Sequence, residues 1–184
     1  MSVCCIIPAR YKSKRLPGKP LLKIGKKEIL LLTYEKITKN FSEKDIYVFT
    51  DSKTVKKKLE SKIKNLLYFN KKFQNGTERA SYGLRLIRKK YSGVLIVSCD
   101  NPYVDNFGIK ATLNCYKKIR RNNQYCAATI HCKTHKKKLD KNIAKLVLSK
   151  TNDILYISRN EIPSKSLNNF YFTHHGPVCI KFNH

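Results

Sequence analysis

The chain has 184 residues, 41% of them hydrophobic, with 39 Lys and Arg against 12 Asp and Glu, for a formal charge of +27. That length can bury a sizeable core, and no apolar run approaches the roughly 20 residues of a membrane span, so the composition fits a soluble globular protein of one domain and excludes a membrane-spanning one. Seven cysteines, an odd number with no Cys-x-x-Cys pair, argue against a disulfide framework or a structural zinc site.

In chain order, short apolar runs alternate with helical patterns, as in a parallel α/β sheet. Val3 to Ile7 reads as a buried strand. No cationic segment or cleavage site accompanies it, so a cytosolic protein is expected. Glu28 to Lys39 reads as a helix, and Asp45 to Thr50 as a second strand. Asp51 or Ser52 can cap a helix running to about Asn65, and Leu66 to Phe69 is a third strand. Thr77 is expected to cap a helix to Tyr91, with Ala80, Leu84 and Ile87 on one face. Gly93 to Ser98 is a fully buried strand, Asp105 caps a helix ending near Asn122, and Tyr125 to Ile130 is a fifth strand. His131 to Lys141 reads as a basic loop. Ala144–Leu148 and Ile154–Ile157 flank a hairpin turn, and Val178 to Phe182 forms a last strand.

The charge has two readings. One is phosphate neutralisation on a nucleic acid. The other is compositional drift: the chain is rich in Lys, Asn, Ile, Tyr and Phe, lacks Trp, and spreads its lysines along its whole length. The spread favours drift, as in an A/T-rich bacterium, so no specific nucleic-acid partner is expected. Anionic substrates are still drawn in by the net field.

In parallel sheets, ligands sit beyond the C-terminal ends of strands. The chemically conspicuous residues fall there: Pro8 to Pro20 after the first strand, Asn75 to Arg79 after the third, and Asp100-Asn101-Pro102 after the fourth. The first loop gathers Arg10, Lys12, Lys14, Arg15 and Lys19 around Gly18, which suits a triphosphate. It is not a Walker motif. In a chain biased towards Lys, the retained Arg10, Arg15, Arg79 and Arg159 point to two-pronged contacts that Lys cannot make. Asp100 is either a Mg²⁺ ligand or the cap of a turn. His131, Cys132 and His135 lack a fourth ligand for a metal site, and Cys99 has no paired base.

Ile6-Ile7-Pro8-Ala9-Arg10-Tyr11-x-Ser13-x-Arg15-Leu16-Pro17-Gly18-Lys19-Pro20-Leu21 resembles the opening of the 3-deoxy-manno-octulosonate (Kdo) cytidylyltransferases, or CMP-Kdo synthetases. Asn75-Gly76-Thr77-Glu78-Arg79 is similar to that family's Ser-Gly-Thr-Asp/Glu-Arg motif, and Asp100-x-Pro102 to its Asp-Glu-Pro. Asn142-x-x-Lys145, then Leu155-Tyr156-x-Ser158-Arg159-x-x-Ile162-Pro163, and His174-x-Gly176 follow in register. The resemblance implies a three-layer α/β/α, Rossmann-like nucleotidyltransferase with a mostly parallel sheet and a small β-hairpin extension. It implies attack of the Kdo anomeric hydroxyl on the CTP α-phosphate with loss of pyrophosphate, for lipopolysaccharide synthesis in the cytoplasm. Catalysis would fall to Arg10, Lys19 and Asp100, with Asp100 holding Mg²⁺. Arg10, Ser13, Arg15, Lys19, Gly76, Thr77 and Arg79 would bind the nucleotide; Arg159, His174 and Lys145 would face the sugar acid. A homodimer is also implied.

The departures from the family pattern are specific. Ser98-Cys99-Asp100-Asn101-Pro102 stands where the family has Gln-Gly-Asp-Glu-Pro, Phe73 where it has His, Asn75 where it has Ser, and Val178 where it has Tyr. The family also continues past the position of His184, with a second metal-binding Asp, so low turnover is expected of a C-terminally shortened chain. Three readings follow: an active cytidylyltransferase, a non-catalytic descendant that keeps nucleotide binding, and a basic nucleic-acid-binding protein.

Overall fold

A computed structural model describes residues 2–12, 16–87, 89–122, 124, 127–135, 143–160 and 170–181. The chain packs as two compact units: residues 1–128 with 177–184, and residues 129–176.

The first unit begins with β1 (Val3–Ala9), a run that is almost wholly buried. A short 3₁₀ turn (Lys19–Leu21) leads through the two-residue strands β2 (Lys23–Ile24) and β3 (Lys27–Glu28) into α1 (Ile29–Ile37). Then come β4 (Ile46–Thr50), α2 (Lys53–Leu59), β5 (Leu66–Tyr68), α3 (Gly76–Arg85), β6 (Gly93–Ile96) and α4 (Asn106–Ile119). The sheet order is β5-β4-β1-β6, all parallel. Residues 178–181 of β10 (Phe170–Lys181) add an antiparallel strand beside β6.

The period of two in β1 separates two cores. Cys5, Ile7 and Ala9 face α1, α2 and α4, packing with Leu30, Leu59 and Ile109. Cys4 and Ile6 face α3, packing with Phe49, Ala80 and Leu84. Helices thus cover both faces of a buried parallel sheet, the expected three-layer arrangement. Burial of Cys4 and Cys179 pushes both thiols up to about 12, so they act as packing groups. α3 lies close on β4: a Cβ at Gly83 would sit 2.2 Å from the Phe49 ring.

The helix ends differ from expectation in two places. Asn75, not Thr77, caps α3, accepting the Glu78 N–H at 2.9 Å, while the Glu78 carboxylate accepts the Gln74 N–H at 2.6 Å. An Asn followed three residues later by Glu is a capping-box pattern, and it outcompetes Thr at this site. α2 stops at Leu59 and α3 at Arg85, each several residues early. After α2 the chain turns so that Ile63 can enter the core at 1% exposure. Ser52 and Asp105 cap α2 and α4 as expected.

The second unit is built on β7 (Ala127–His135), β8 (Ala144–Leu148), β9 (Ile154–Ser158) and the first part of β10. β8 pairs antiparallel with β9 and with β10, and β7 also pairs with β10. The turn between β8 and β9 places Asn152 at φ 65°, which Asn tolerates well. The basic loop expected from His131 is strand as far as His135. His131 and His135 pack edge-on against Phe172 and Phe170 at 5.1 Å, so the aromatic partners of β10 draw them into the sheet. Lys136 to Lys141, like Tyr125 and Phe182, lies outside the described residues.

Candidate active site

β1, β4, β5 and β6 run parallel, so their C-terminal ends share one side of the first unit. An open cleft of about 570 Å³ lies there, lined by Arg10 and Lys12 after β1, Asp51 after β4, and Phe69 to Gln74 after β5. Arg10 is exposed, and Lys71 and Lys72 add further positive charge. A concave basic surface of this kind attracts polyanions, phosphates above all.

Beside it, Lys19 forms an ion pair with Asp100, 81 residues further along the chain, and Ser98 donates its hydroxyl to the other oxygen of that carboxylate. Gly18 makes the approach of Lys19 possible. It holds φ 73°, a left-handed conformation natural to glycine, and donates its N–H to the Tyr11 carbonyl at 2.9 Å. Burial works to raise the Asp100 carboxyl, but the hydrogen bonds from Lys19 and Ser98 outweigh it and hold the group below its usual range. It is therefore a carboxylate at neutral pH. Burial, then the Asp100 charge, pushes the neighbouring Cys99 thiol up to about 12, so it is no nucleophile.

Gly76 and Thr77 open α3 and are exposed; Gly76 sits against Pro8, whose ring would lie 3.2 Å from an added Cβ. Arg79, one turn on, is 2% exposed. It donates to Asp51 at 2.8 Å and to the Ala9 carbonyl at 3.2 Å, and stacks over Phe73 at 5.3 Å. Its guanidinium is committed to the protein and holds the strand ends. Asp51, which sequence reasoning took only as a helix cap, is the partner that reading missed. The available signal was a carboxylate immediately after a buried strand. Ser13 and Arg15 lie outside the described residues.

In the second unit the remaining candidates lie on neighbouring strands. Lys145 pairs with Ser158 on one side and Thr173 on the other, while His174 pairs with Ala144 and so sits on the opposite face of the sheet from Lys145. Lys145 is 3% exposed and donates its ammonium to the Arg159 carbonyl. The Arg159 residue is exposed and His174 half-buried. Thr173 is fully buried and joined to Thr134 at 2.6 Å. Asn142, Ile162 and Pro163 fall outside the described residues.

Among the described residues no three His, Cys, Asp or Glu side chains cluster as a metal site, and no helix is long and apolar enough to cross a membrane.

The cytidylyltransferase family model matches residues 4–180. The chain belongs to the cytidylyltransferase family. It is thus a nucleotidyltransferase, and the resemblance read from its motifs is borne out among its relatives. The chain is 29% identical over 174 residues to a 3-deoxy-manno-octulosonate cytidylyltransferase of Wigglesworthia glossinidia brevipalpis, covering 93% of this chain and 70% of that one. It is also 29% identical, over 164 residues, to an 8-amino-3,8-dideoxy-manno-octulosonate cytidylyltransferase of Shewanella pealeana, covering 89% and 67%. A solved CMP:2-keto-3-deoxy-manno-octonic acid synthetase, in complex with CTP, superposes with a TM-score of 0.83 at 23% identity over 98% of this chain and 74% of that one. That likeness establishes the shared fold.

Proposed function

We propose that this cytidylyltransferase joins CTP to Kdo, releasing pyrophosphate and supplying CMP-Kdo for lipopolysaccharide. The observation that carries the reading is the meeting of Lys19 and Asp100 at the strand ends, next to a cleft lined by Arg10 and Lys12. A cation for phosphate and a carboxylate for a metal, side by side, are the parts that nucleotidyl transfer needs.

Arg10 and Lys19 bind the triphosphate and meet the charge that develops on the leaving pyrophosphate. Gly76 and Thr77, at the opening of α3, offer backbone N–H groups to the nucleotide. Asp100 and the Ser98 hydroxyl are hard oxygen donors and fit Mg²⁺, which takes one or two carboxylates and completes its shell with phosphate and water. The metal held there would lower the charge on the phosphates. Lys19 and Asp100 are paired with each other; with substrate bound, Lys19 would take phosphate and Asp100 would hold the metal.

For the sugar acid we assign Arg159 and His174, with Lys145 fixing the Arg159 backbone. Curated relatives act, by name, on Kdo or on its 8-amino analogue, so the carboxylate-bearing end is the shared feature, and Arg159 suits it by its two-pronged geometry. The free buried thiols of Cys4, Cys5 and Cys179 support a reducing, cytoplasmic setting. Among the described residues β9 pairs with β8 alone and exposes Leu155, Tyr156 and Ile157 at 66, 60 and 56%, which supports a homodimer. An exposed apolar edge strand is a template for another chain.

Calorimetric titration of CTP with Mg²⁺ tests the nucleotide site, with one-site binding expected; no heat at millimolar CTP would overturn it. Pyrophosphate release is then compared with Kdo and with its 8-amino analogue as acceptor. CTP binding without release from either acceptor overturns the catalytic reading in favour of a non-catalytic descendant, and a preference for the amino sugar corrects the acceptor.

A further inference from the structure

The carboxylate of Asp51 is an acid set in a basic cleft. It lines the same wall as Arg10, Lys12, Lys71 and Lys72. An anion there repels a phosphate ligand, but each of its oxygens is engaged by the protein. Oδ1 accepts the Tyr11 N–H at 2.9 Å, and Oδ2 accepts the Arg79 guanidinium at 2.8 Å.

The contacts continue beyond Asp51. The other arm of Arg79 donates to the Ala9 carbonyl at 3.2 Å. The exit of β1 is thereby gripped at two nearby points, Ala9 and Tyr11, from residues 70 and 40 positions away in sequence. The Tyr11 carbonyl in turn accepts the Gly18 N–H at 2.9 Å, and Gly18 precedes Lys19. The hold therefore reaches from Asp51 to both described ends of the loop.

We infer that Asp51 is a positioning residue of the nucleotide site, holding Tyr11 directly and Ala9 through Arg79 so that Arg10 and Lys19 are presented at fixed places. This rests on reading the cleft as the CTP site. Burial works to raise the Asp51 carboxyl, but the Arg79 and Tyr11 hydrogen bonds outweigh it and keep the group ionised. A buried guanidinium without a counter-charge is strongly destabilising, so the pair must be tested as a pair.

Two variants make the test: Asp51→Ala, and the double variant Asp51→Ala with Arg79→Met, which removes both grips without stranding a charge. The readouts are thermal midpoint, calorimetric CTP affinity, and amide hydrogen exchange at Tyr11 and Gly18. The single variant is expected to lose midpoint and affinity together. The double variant is expected to recover midpoint while CTP binds about tenfold more weakly and both amides exchange at least about tenfold faster. A purely structural role predicts that affinity returns with stability, and that result overturns the assignment, as does unchanged exchange at both amides. If the double variant stays destabilised, its affinity is compared with that of Leu59→Ala, a core change that removes none of these hydrogen bonds, and an equal loss in both overturns the assignment. If the wild type binds no CTP, the site reading fails, while amide exchange still decides whether Asp51 holds the loop.

Discussion

Each unit of the chain buries a basic side chain beside its candidate binding residues, and the two are satisfied differently. In the first unit Arg79, 2% exposed, meets a full counter-charge on Asp51 and a carbonyl besides. In the second, Lys145, 3% exposed, donates to the carbonyl of Arg159. A buried ion pair is costly to break because the survivor keeps its charge. A carbonyl that loses its donor is merely a neutral group left unpaired. The first arrangement ties the ends of β1 and β4 to α3, whereas the second fixes the backbone of one candidate residue.

The largest effect expected is therefore from Arg79→Ala, which should cost about 3–5 kcal/mol of unfolding free energy in urea. A loss no greater than that of Lys145→Met would erase the contrast. Asp100→Asn sharpens it from the other side. The Lys19–Asp100 pair is about a third exposed on each side chain, so its loss should change stability by only about 0–1 kcal/mol. Pyrophosphate release should nevertheless fall about 10²–10³-fold, the scale seen when a preorganised charge-stabilising group is removed. Lys145→Met comes next: about 1–3 kcal/mol in stability, from one orphaned carbonyl, with weaker capture of the sugar acid in a saturation series.

The acid limb gives a smaller signal. The Asp51 carboxyl titrates lower in the folded chain than in the unfolded one, so the unfolded state binds the extra proton. The stabilisation is fully present above the ordinary Asp value of about 3.9 and is lost as pH falls through the folded value. The double variant of Asp51 and Arg79 should lose less midpoint than the wild type between about pH 5 and pH 2. The smallest change in fold stability, within about 0.5 kcal/mol, is expected of Ile157→Lys on the exposed β9 edge. Its effect should appear instead in light scattering: the proposed dimer should become a monomer, and an unshifted mass would remove β9 as its edge.

Much of the first unit was legible because its signals are local. β1, β4 and β6 are short, dense apolar runs, and Ser52 and Asp105 announce their helices. Lys19, Asp100 and Arg10 could be picked out as candidates because arginine and a strand-end carboxylate stand out in a lysine-rich chain, and the structure shows Lys19 paired with Asp100. What escaped depends on partners far along the chain. His131 to His135 carries no apolar alternation, and becomes strand only through Phe170 and Phe172. Arg79 read as a phosphate ligand because its type suits one; only the packed structure reveals that Asp51 and Ala9 already occupy it. The early ends of α2 and α3 reflect the demands of the core, which periodicity cannot weigh.

Gly83 sets the spacing of this apparatus. It sits inside α3, where glycine is about 1 kcal/mol worse than alanine, yet a single methyl there would lie 2.2 Å from the Phe49 ring. The helix can rest on the sheet only as deeply as that missing methyl allows. Arg79 lies one turn earlier on the same rod, so Gly83→Ala would act like a shim under a lever. Either the Phe49 ring is displaced, or the helix lifts and draws the guanidinium away from Asp51. A substitution with no atom in the cleft would then be felt at Tyr11, as a change of distance alone.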